Sequence, residues 1–163
     1  FGSSHFSFKA SVRPEAQVKA MFAFSLQSLN SQYAVEHAVS AEQSKLVCLR
    51  IGSQFEPACI AMDEILRSSI SAVEAACSVY TIEAREVPEC VTGFQVKTPV
   101  ALVFFFRGRW LQFDLGQGPC PRIECSIASR QEFVDLVEAA FRGVQQGREL
   151  IVAPKDYSLQ MRY

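Results

Sequence analysis

Seven consecutive apolar residues, Val100-Ala-Leu-Val-Phe-Phe-Phe106, constrain this chain more than any other stretch. The run is far shorter than the ~20 residues a membrane helix needs. Its length and its β-branched and aromatic content are those of a strand. Side chains alternate across a strand, so a run without a polar position is apolar on both faces. Only an interior strand, covered by a layer on each side, accommodates that. With 163 residues, the chain is long enough to bury such a core as one ordinary domain.

The remaining elements are read around that strand. Lys45-Leu-Val-Cys-Leu-Arg-Ile51 is a second, mostly apolar strand, stopped by Gly52. Pro57 suits the first turn of a helix, where its missing N–H would have no partner anyway. Met62, Leu66, Ile70, Val73 and Cys77 step by three or four and predict one buried helical stripe from Cys59 to Cys77. Ser78-Val-Tyr-Thr-Ile-Glu83 returns to strand character, which closes a βαβ unit with a right-handed crossover. Pro88 opens a short helix to about Gln95. Arg107-Gly108 predicts a tight turn into Arg109-Trp-Leu-Gln-Phe-Asp-Leu115, a hairpin partner with Trp110, Gln112 and Asp114 on one face. Gly116 and Gly118 break that strand. Ser129-Arg-Gln-Glu132 has the form of a capping box. It starts a helix with Phe133, Val137, Ala140, Phe141 and Val144 inward, ending near Gly147. Upstream, Tyr33 to Ala41 reads as a short helix with Val35 and Val39 inward. A parallel βαβ unit followed by an antiparallel ββα unit predicts an α/β, thioredoxin-like fold, with a mixed central sheet flanked by helices. The domain is expected over 28–149. A poorly ordered or vector-derived extension is expected over 1–27 and a C-terminal tail over 150–163.

Such a fold presents its motif at the first strand-to-helix junction, here Phe55-Glu-Pro-Ala-Cys59. A disulfide oxidoreductase needs two thiols there, one to attack and one to resolve. The Cys-x-x-Cys spacing is kept, but Glu56 stands where the attacking cysteine should be. The helix N-terminus favours thiolate at Cys59, whereas the Glu56 charge opposes it. Phe55, Glu56, Pro57, Ala58 and Cys59 are thus a degenerate redox motif, with no catalytic residue assigned. Three readings stay open: an inert buried thiol, a one-thiol redox sensor, and a thiol–disulfide redox protein of thioredoxin type. Pro99, directly before the central strand, is expected to be cis and to face the motif, a cost of roughly 0.5–1 kcal/mol.

Composition excludes several other classes. The net charge of −1 gives no global field for nucleic acid. Six cysteines contain no Cys-x-x-Cys, and the two histidines form no cluster of zinc spacing, so no metal, cofactor or disulfide is expected. Cysteines inside apolar runs point to a reducing compartment, cytosol or nucleus. Gly116-Gln-Gly118 lacks the third glycine of a dinucleotide loop. Residues 1–14 carry no acid and are faintly like a mitochondrial presequence.

Several stretches together resemble a known family. They are Glu56-Pro-Ala-Cys59, Met62-Asp-Glu64, Glu86-Val-Pro88, Phe104-Phe-Phe-Arg107, Asp114-Leu-Gly-Gln-Gly118 and Phe141-Arg-Gly143. The ending Ala153-Pro-Lys-Asp-Tyr-Ser158, closed by Arg162-Tyr163, is the most specific. From about Ser28 to Tyr163 the sequence resembles the Dim/Dib family, the thioredoxin-like protein of the spliceosomal U5 small nuclear ribonucleoprotein. It departs from the family pattern at Phe55 and Glu56, often Trp and Asp. It also departs at Val100, where the family can carry a cysteine that pairs with the Cys59 equivalent, and in the loop Pro119–Cys125.

The resemblance implies a nuclear, non-enzymatic splicing factor of the U5 and tri-snRNP particles. Its partners would be spliceosomal proteins and a homologue of a polyglutamine-tract-binding protein. RNA would be touched only indirectly or within the particle, and membranes not at all. Candidate partner-binding residues are Lys155, Asp156, Tyr157, Arg162 and Tyr163 in the tail, with Arg107 and Trp110 on the domain. Ile151 and Val152 are expected to pack on the sheet or the last helix.

Overall fold

The structure is a computed structural model that describes residues 25–158. Arg162 and Tyr163, and most of the 1–27 segment, lie outside the described residues.

The central sheet has the order β1-β3-β2-β4-β5. β2 (Leu46–Gly52) and β3 (Cys77–Glu83) are parallel and joined by α2 (Pro57–Val73). β4 (Val100–Phe106) runs antiparallel on the other side of β2, and β5 (Arg109–Trp110) pairs with β4. β1 (Gln27–Ser28) adds to the β3 edge in parallel. It straddles the boundary expected between extension and domain. A second sheet has the order β7-β6-β8, formed by β6 (Gln112–Asp114), β7 (Pro119–Cys120) and β8 (Leu150–Val152). The other helices are α1 (Gln32–Ala41), α3 (Pro88–Gly93) and α4 (Arg130–Gln145).

The two central strands are buried on both faces, as their composition requires. Leu46 and Cys48 of β2 with Leu102 and Phe104 of β4 face a core completed by α2, α4 and the second sheet. Val47, Leu49 and Ile51 with Val103 and Phe105 face the other way, against α1 and α3. Helix ends follow their caps. Ser31 Oγ accepts from the Ala34 amide at 3.1 Å. Ser129 Oγ accepts from the Glu132 amide at 3.2 Å, while Glu132 reaches back to the Ala128 amide at 2.8 Å, one residue beyond the usual box.

Four expectations need correction. The apolar spacing predicts a helical stripe to Cys77, but α2 ends at Val73, because Cys77 pairs with Leu46 and opens β3. The strand 109–115 is not continuous. Trp110 stays with β4, the Leu111 amide still reaches Phe104 O at 2.9 Å, and Gln112–Asp114 then turns into the second sheet to pair with β8. Trp110 therefore packs into the α3-side core, with its indole N–H donating to Pro121 O at 2.8 Å, and shares no face with Gln112 and Asp114. The Thr98-Pro99 bond is trans, since the described residues contain no cis peptide. The trans form already brings Pro99 O within 3.3 Å of the Cys59 thiol, so contact with the motif needs no isomerisation. Finally, Ile151 is buried but Val152 is 67% exposed, because alternation in β8 sends only one of them inward.

Candidate functional site

The motif lies where the fold predicts, between β2 and α2. Glu56 is the N-cap residue of α2 but its side chain caps nothing, and Pro57 occupies the first turn. Ser53 O accepts the Glu56 amide at 3.0 Å, and Glu83 Oε2 accepts the Gln54 amide at 3.0 Å, which fixes the loop. Phe55 is 70% exposed and Ile60 52%, so the motif presents an apolar surface.

Cys59 is fully buried. Its thiol donates to Pro99 O at 3.3 Å. A Cβ on Gly52 would collide with Cys59 Sγ and stand 2.6 Å from Pro99 O, so only glycine fits opposite the thiol. Across the β2–β4 ladder Gly52 pairs with Val100, which puts an aliphatic side chain where the family can carry its second sulfur. All six cysteines are free. Burial raises the Cys59 pKa; Arg50 opposes that shift, and Asp63 and Glu83 add to it. Glu56, expected to be the opposing charge, is exposed at the helix start, and the leading charges on the thiol are Arg50, Asp63 and Glu83. Desolvation is the largest of these influences, so the net shift disfavours the thiolate.

Beneath the motif lies a buried ion pair that no sequence motif announces. Arg50, 3% exposed in the middle of β2, forms a bidentate pair with Asp63 of α2, with Nε to Oδ1 at 2.7 Å and Nη2 to Oδ2 at 2.9 Å. Its Nη1 also reaches Ile82 O at 3.4 Å. The available signal was a single charged residue inside an otherwise apolar interior strand, which must find a buried partner.

Beside the motif, a cleft of about 210 Å³ is lined by Ala58, Ala61, Thr98, Pro99 and Glu124, among others. Glu124 is held by Thr98 Oγ1 at 2.7 Å and Arg122 Nε at 3.1 Å. Burial alone would raise its pKa, but those hydrogen bonds prevail and lower it.

The partner-binding candidates are scattered rather than gathered. Tyr157 is 3% exposed, with its hydroxyl donating to Glu132 Oε2 at 3.4 Å, so it is a core residue and not a contact surface. Burial, with the Glu132 charge next, pushes its pKa up to about 12. Lys155 sits over the Tyr157 ring and pairs with Glu132 at 2.5 Å. Asp156 Oδ1 accepts the Ser158 amide at 2.8 Å. Arg107 is exposed at the β4–β5 turn, and Trp110 is half-buried. Among the described residues no cluster of His, Cys, Asp and Glu could hold a metal ion, and no helix is long and apolar enough to cross a membrane.

A parallel βαβ unit, an antiparallel ββα unit and a motif at the first βα junction define a thioredoxin-like protein, here with one buried thiol in place of two. Fasciola hepatica thioredoxin superposes with a TM-score of 0.55 at 12% identity, covering 69% of this chain and 97% of that one. The chain belongs to the family described as mitosis protein DIM1, whose model matches residues 25–157. It is 33% identical to mitosis protein dim1 of Schizosaccharomyces pombe over 138 residues, which span 85% of this chain and 97% of that protein. It is 31% identical to spliceosomal protein DIB1 of Eremothecium gossypii, over 82% of this chain and 93% of that protein.

Thiol exposure is directly measurable. Cys120 is half-exposed and the other five cysteines are buried. Native protein treated with Ellman's reagent should release one thiol, mapped to Cys120, well before the rest, which should follow only on unfolding. Rapid labelling of Cys59 in the folded state would contradict its burial.

Proposed function

We propose that this chain is a non-catalytic interaction component of the spliceosome, working in the U5 and tri-snRNP particles in the nucleus. The reading is supported by similarity to a protein named for the spliceosome along nearly its whole length. The observation that carries the non-enzymatic part is Cys59: one thiol, fully buried, its pKa raised and Glu56 in the attacking position. Dithiol exchange requires an accessible thiolate and a second sulfur to resolve the mixed disulfide. Neither is present at this junction. What the junction does offer is apolar surface, with Phe55 and Ile60 exposed beside a shallow cleft. Spliceosomal proteins, a polyglutamine-tract-binding homologue among them, are the partners proposed, with RNA reached through the particle.

Two measurements test this together. Purified protein should reduce insulin no faster than dithiothreitol alone. A tagged chain expressed in eukaryotic cells should retain U5 small nuclear RNA after nuclear extraction and affinity purification. Dithiol-dependent turnover abolished by Cys59→Ser would overturn the first part, and absence of U5 RNA the second.

A further inference from the structure

The end of the molecule opposite the motif gathers positive charge around exposed aliphatic side chains. One cleft of about 200 Å³ is lined by Arg142, Arg148, Leu150 and Val152, with Gly143 and Ile151 in its floor. A second, of about 340 Å³, shares Arg148 and adds Arg107, Arg109 and Glu149. Four guanidinium groups thus meet one carboxylate, in a chain whose net charge is −1.

The fold makes no use of the Arg142 and Arg148 charges. Three carbonyls of the last turn of α4 are already taken: Arg142 O and Gly143 O accept the Gln146 amide, Val144 O the Gly147 amide, and Gly143 O the Arg148 amide. Arginines are therefore not needed to cap the helix. Among the described residues no hydrogen bond or ion pair occupies the Arg142 or Arg148 side chain. The Arg109–Glu149 pair is 2.7 Å long but 76% and 55% exposed, a geometry in which water screens most of the attraction. Arg107, by contrast, is held ready. It occupies the left-handed region (φ 53°) in a tight turn with Gly108 (φ 78°). Its Nε donates to Gln43 O at 3.0 Å, and its guanidinium lies 5.0 Å over the Phe106 ring.

We infer that this face binds an extended acidic segment of a partner protein. β8 is the outer strand of its sheet, paired with β6 alone, so an added strand can bond along its free edge. Side chains of an added strand alternate. One set can pack on Leu150 and Val152, 42% and 67% exposed, while acidic neighbours reach Arg142 and Arg148. Single-stranded nucleic acid fits less well, because it is gripped by stacking on open aromatic rings. These clefts offer aliphatic side chains instead, and their one ring, Phe106, lies under a guanidinium. The inference rests on the reading of the chain as an interaction component and narrows it to one face and one chemical class of partner.

The test uses a fluorescein-labelled octapeptide of alternating glutamate and valine, titrated against the full chain by anisotropy. Saturable binding is expected, with amide shift changes confined to 107–109 and 142–152. Arg142→Glu with Arg148→Glu should weaken it roughly tenfold or more without changing the melting temperature, because both side chains are exposed. Raising the salt should weaken it as well. No saturable binding, shifts at another face, or tighter binding of labelled oligouridylate to the same residues would each overturn the inference. Retention of U5 RNA by the wild-type chain separates the two failures. If U5 RNA is retained while the octapeptide is refused, only the docking face is wrong.

Discussion

A chain that stops at Glu149 should no longer unfold as a stable, cooperative unit. Residues 150–158 add a strand and two buried anchors to the domain. β8 pairs in parallel with β6, Leu150 to Gln112, Ile151 to Phe113 and Val152 to Asp114. Ile151 is 3% exposed and packs so closely on Gly143 of α4 that a Cβ there would strike its Cδ1. Tyr157 is equally buried, its amide donating to Leu115 O at 2.8 Å. Losing a buried isoleucine costs about 2–5 kcal/mol and a buried aromatic about 3–5 kcal/mol. Typical domains have only about 5–15 kcal/mol in total, so the truncated chain has little left. Two point variants refine the argument. Ile151→Ala should lower the melting temperature by roughly 5–20 °C. Val152→Ala, on the exposed side of the same strand, should cost within about 0.5 kcal/mol. Thermal melts by circular dichroism decide it. Equal melting of the truncated and full chains, or equal costs for the two variants, would show that β8 is an appendage.

The same strand illustrates how far one-dimensional patterns reach. The aliphatic run Leu150-Ile-Val152 signals burial, and alternation in a strand predicts that only half of it goes inward. Which half depends on the pairing partner, and β6 is recruited from a segment whose local pattern continues the β4 hairpin. Strand propensity persists through Arg109–Leu115, so nothing local marks Leu111 as the point where the chain leaves one sheet for another. The split follows from tertiary competition: the β4 ladder ends at Trp110, and Phe113 is fully buried in the opposite core, against Phe104 at 5.1 Å between ring centroids. Tyr157 is buried against its local pattern for a related reason. A phenol near charged residues reads as a contact surface, but its hydroxyl finds Glu132, 25 positions earlier in the chain.

Long uniform signals translated well. The two apolar strands, β2 and β4, needed only alternation and burial to be placed at the centre with helices on both sides. The motif was legible because its position follows from β2 and Pro57, and because a missing cysteine is visible in the residues themselves. Its electrostatics were not legible. Glu56 is adjacent in sequence but solvated at a helix start, whereas Arg50, Asp63 and Glu83 reach Cys59 only after the sheet and α2 have been assembled.

Arg50→Ala should be among the most damaging single substitutions outside the apolar core. It would leave the Asp63 carboxylate, 13% exposed, without the two charge-assisted bonds that now satisfy it, and Ile82 O without its guanidinium donor. Removing one member of a buried pair costs about 3–5 kcal/mol, because a charge is left in a poorly solvating site. Asp63→Ala should cost a similar amount, now with the guanidinium stranded. Arg50→Lys keeps the charge but loses the fork that bonds both carboxylate oxygens, so it should fall between wild type and alanine. The decisive variant removes both charges. Arg50→Met with Asp63→Leu should recover most of the loss, since replacing a buried pair by packed apolar groups is often neutral or stabilising by about 1–4 kcal/mol. Urea melts of the two single variants and the double variant measure the coupling directly. Additive losses would mean that the pair is solvated and energetically idle. Cys59 supplies an independent readout, because Arg50 favours its thiolate and Asp63 disfavours it. With both charges gone these opposing influences vanish together while burial remains. The thiol should therefore stay as slow towards Ellman's reagent in the folded double variant as in the wild type, provided that the pair holds the fold and does not activate the sulfur.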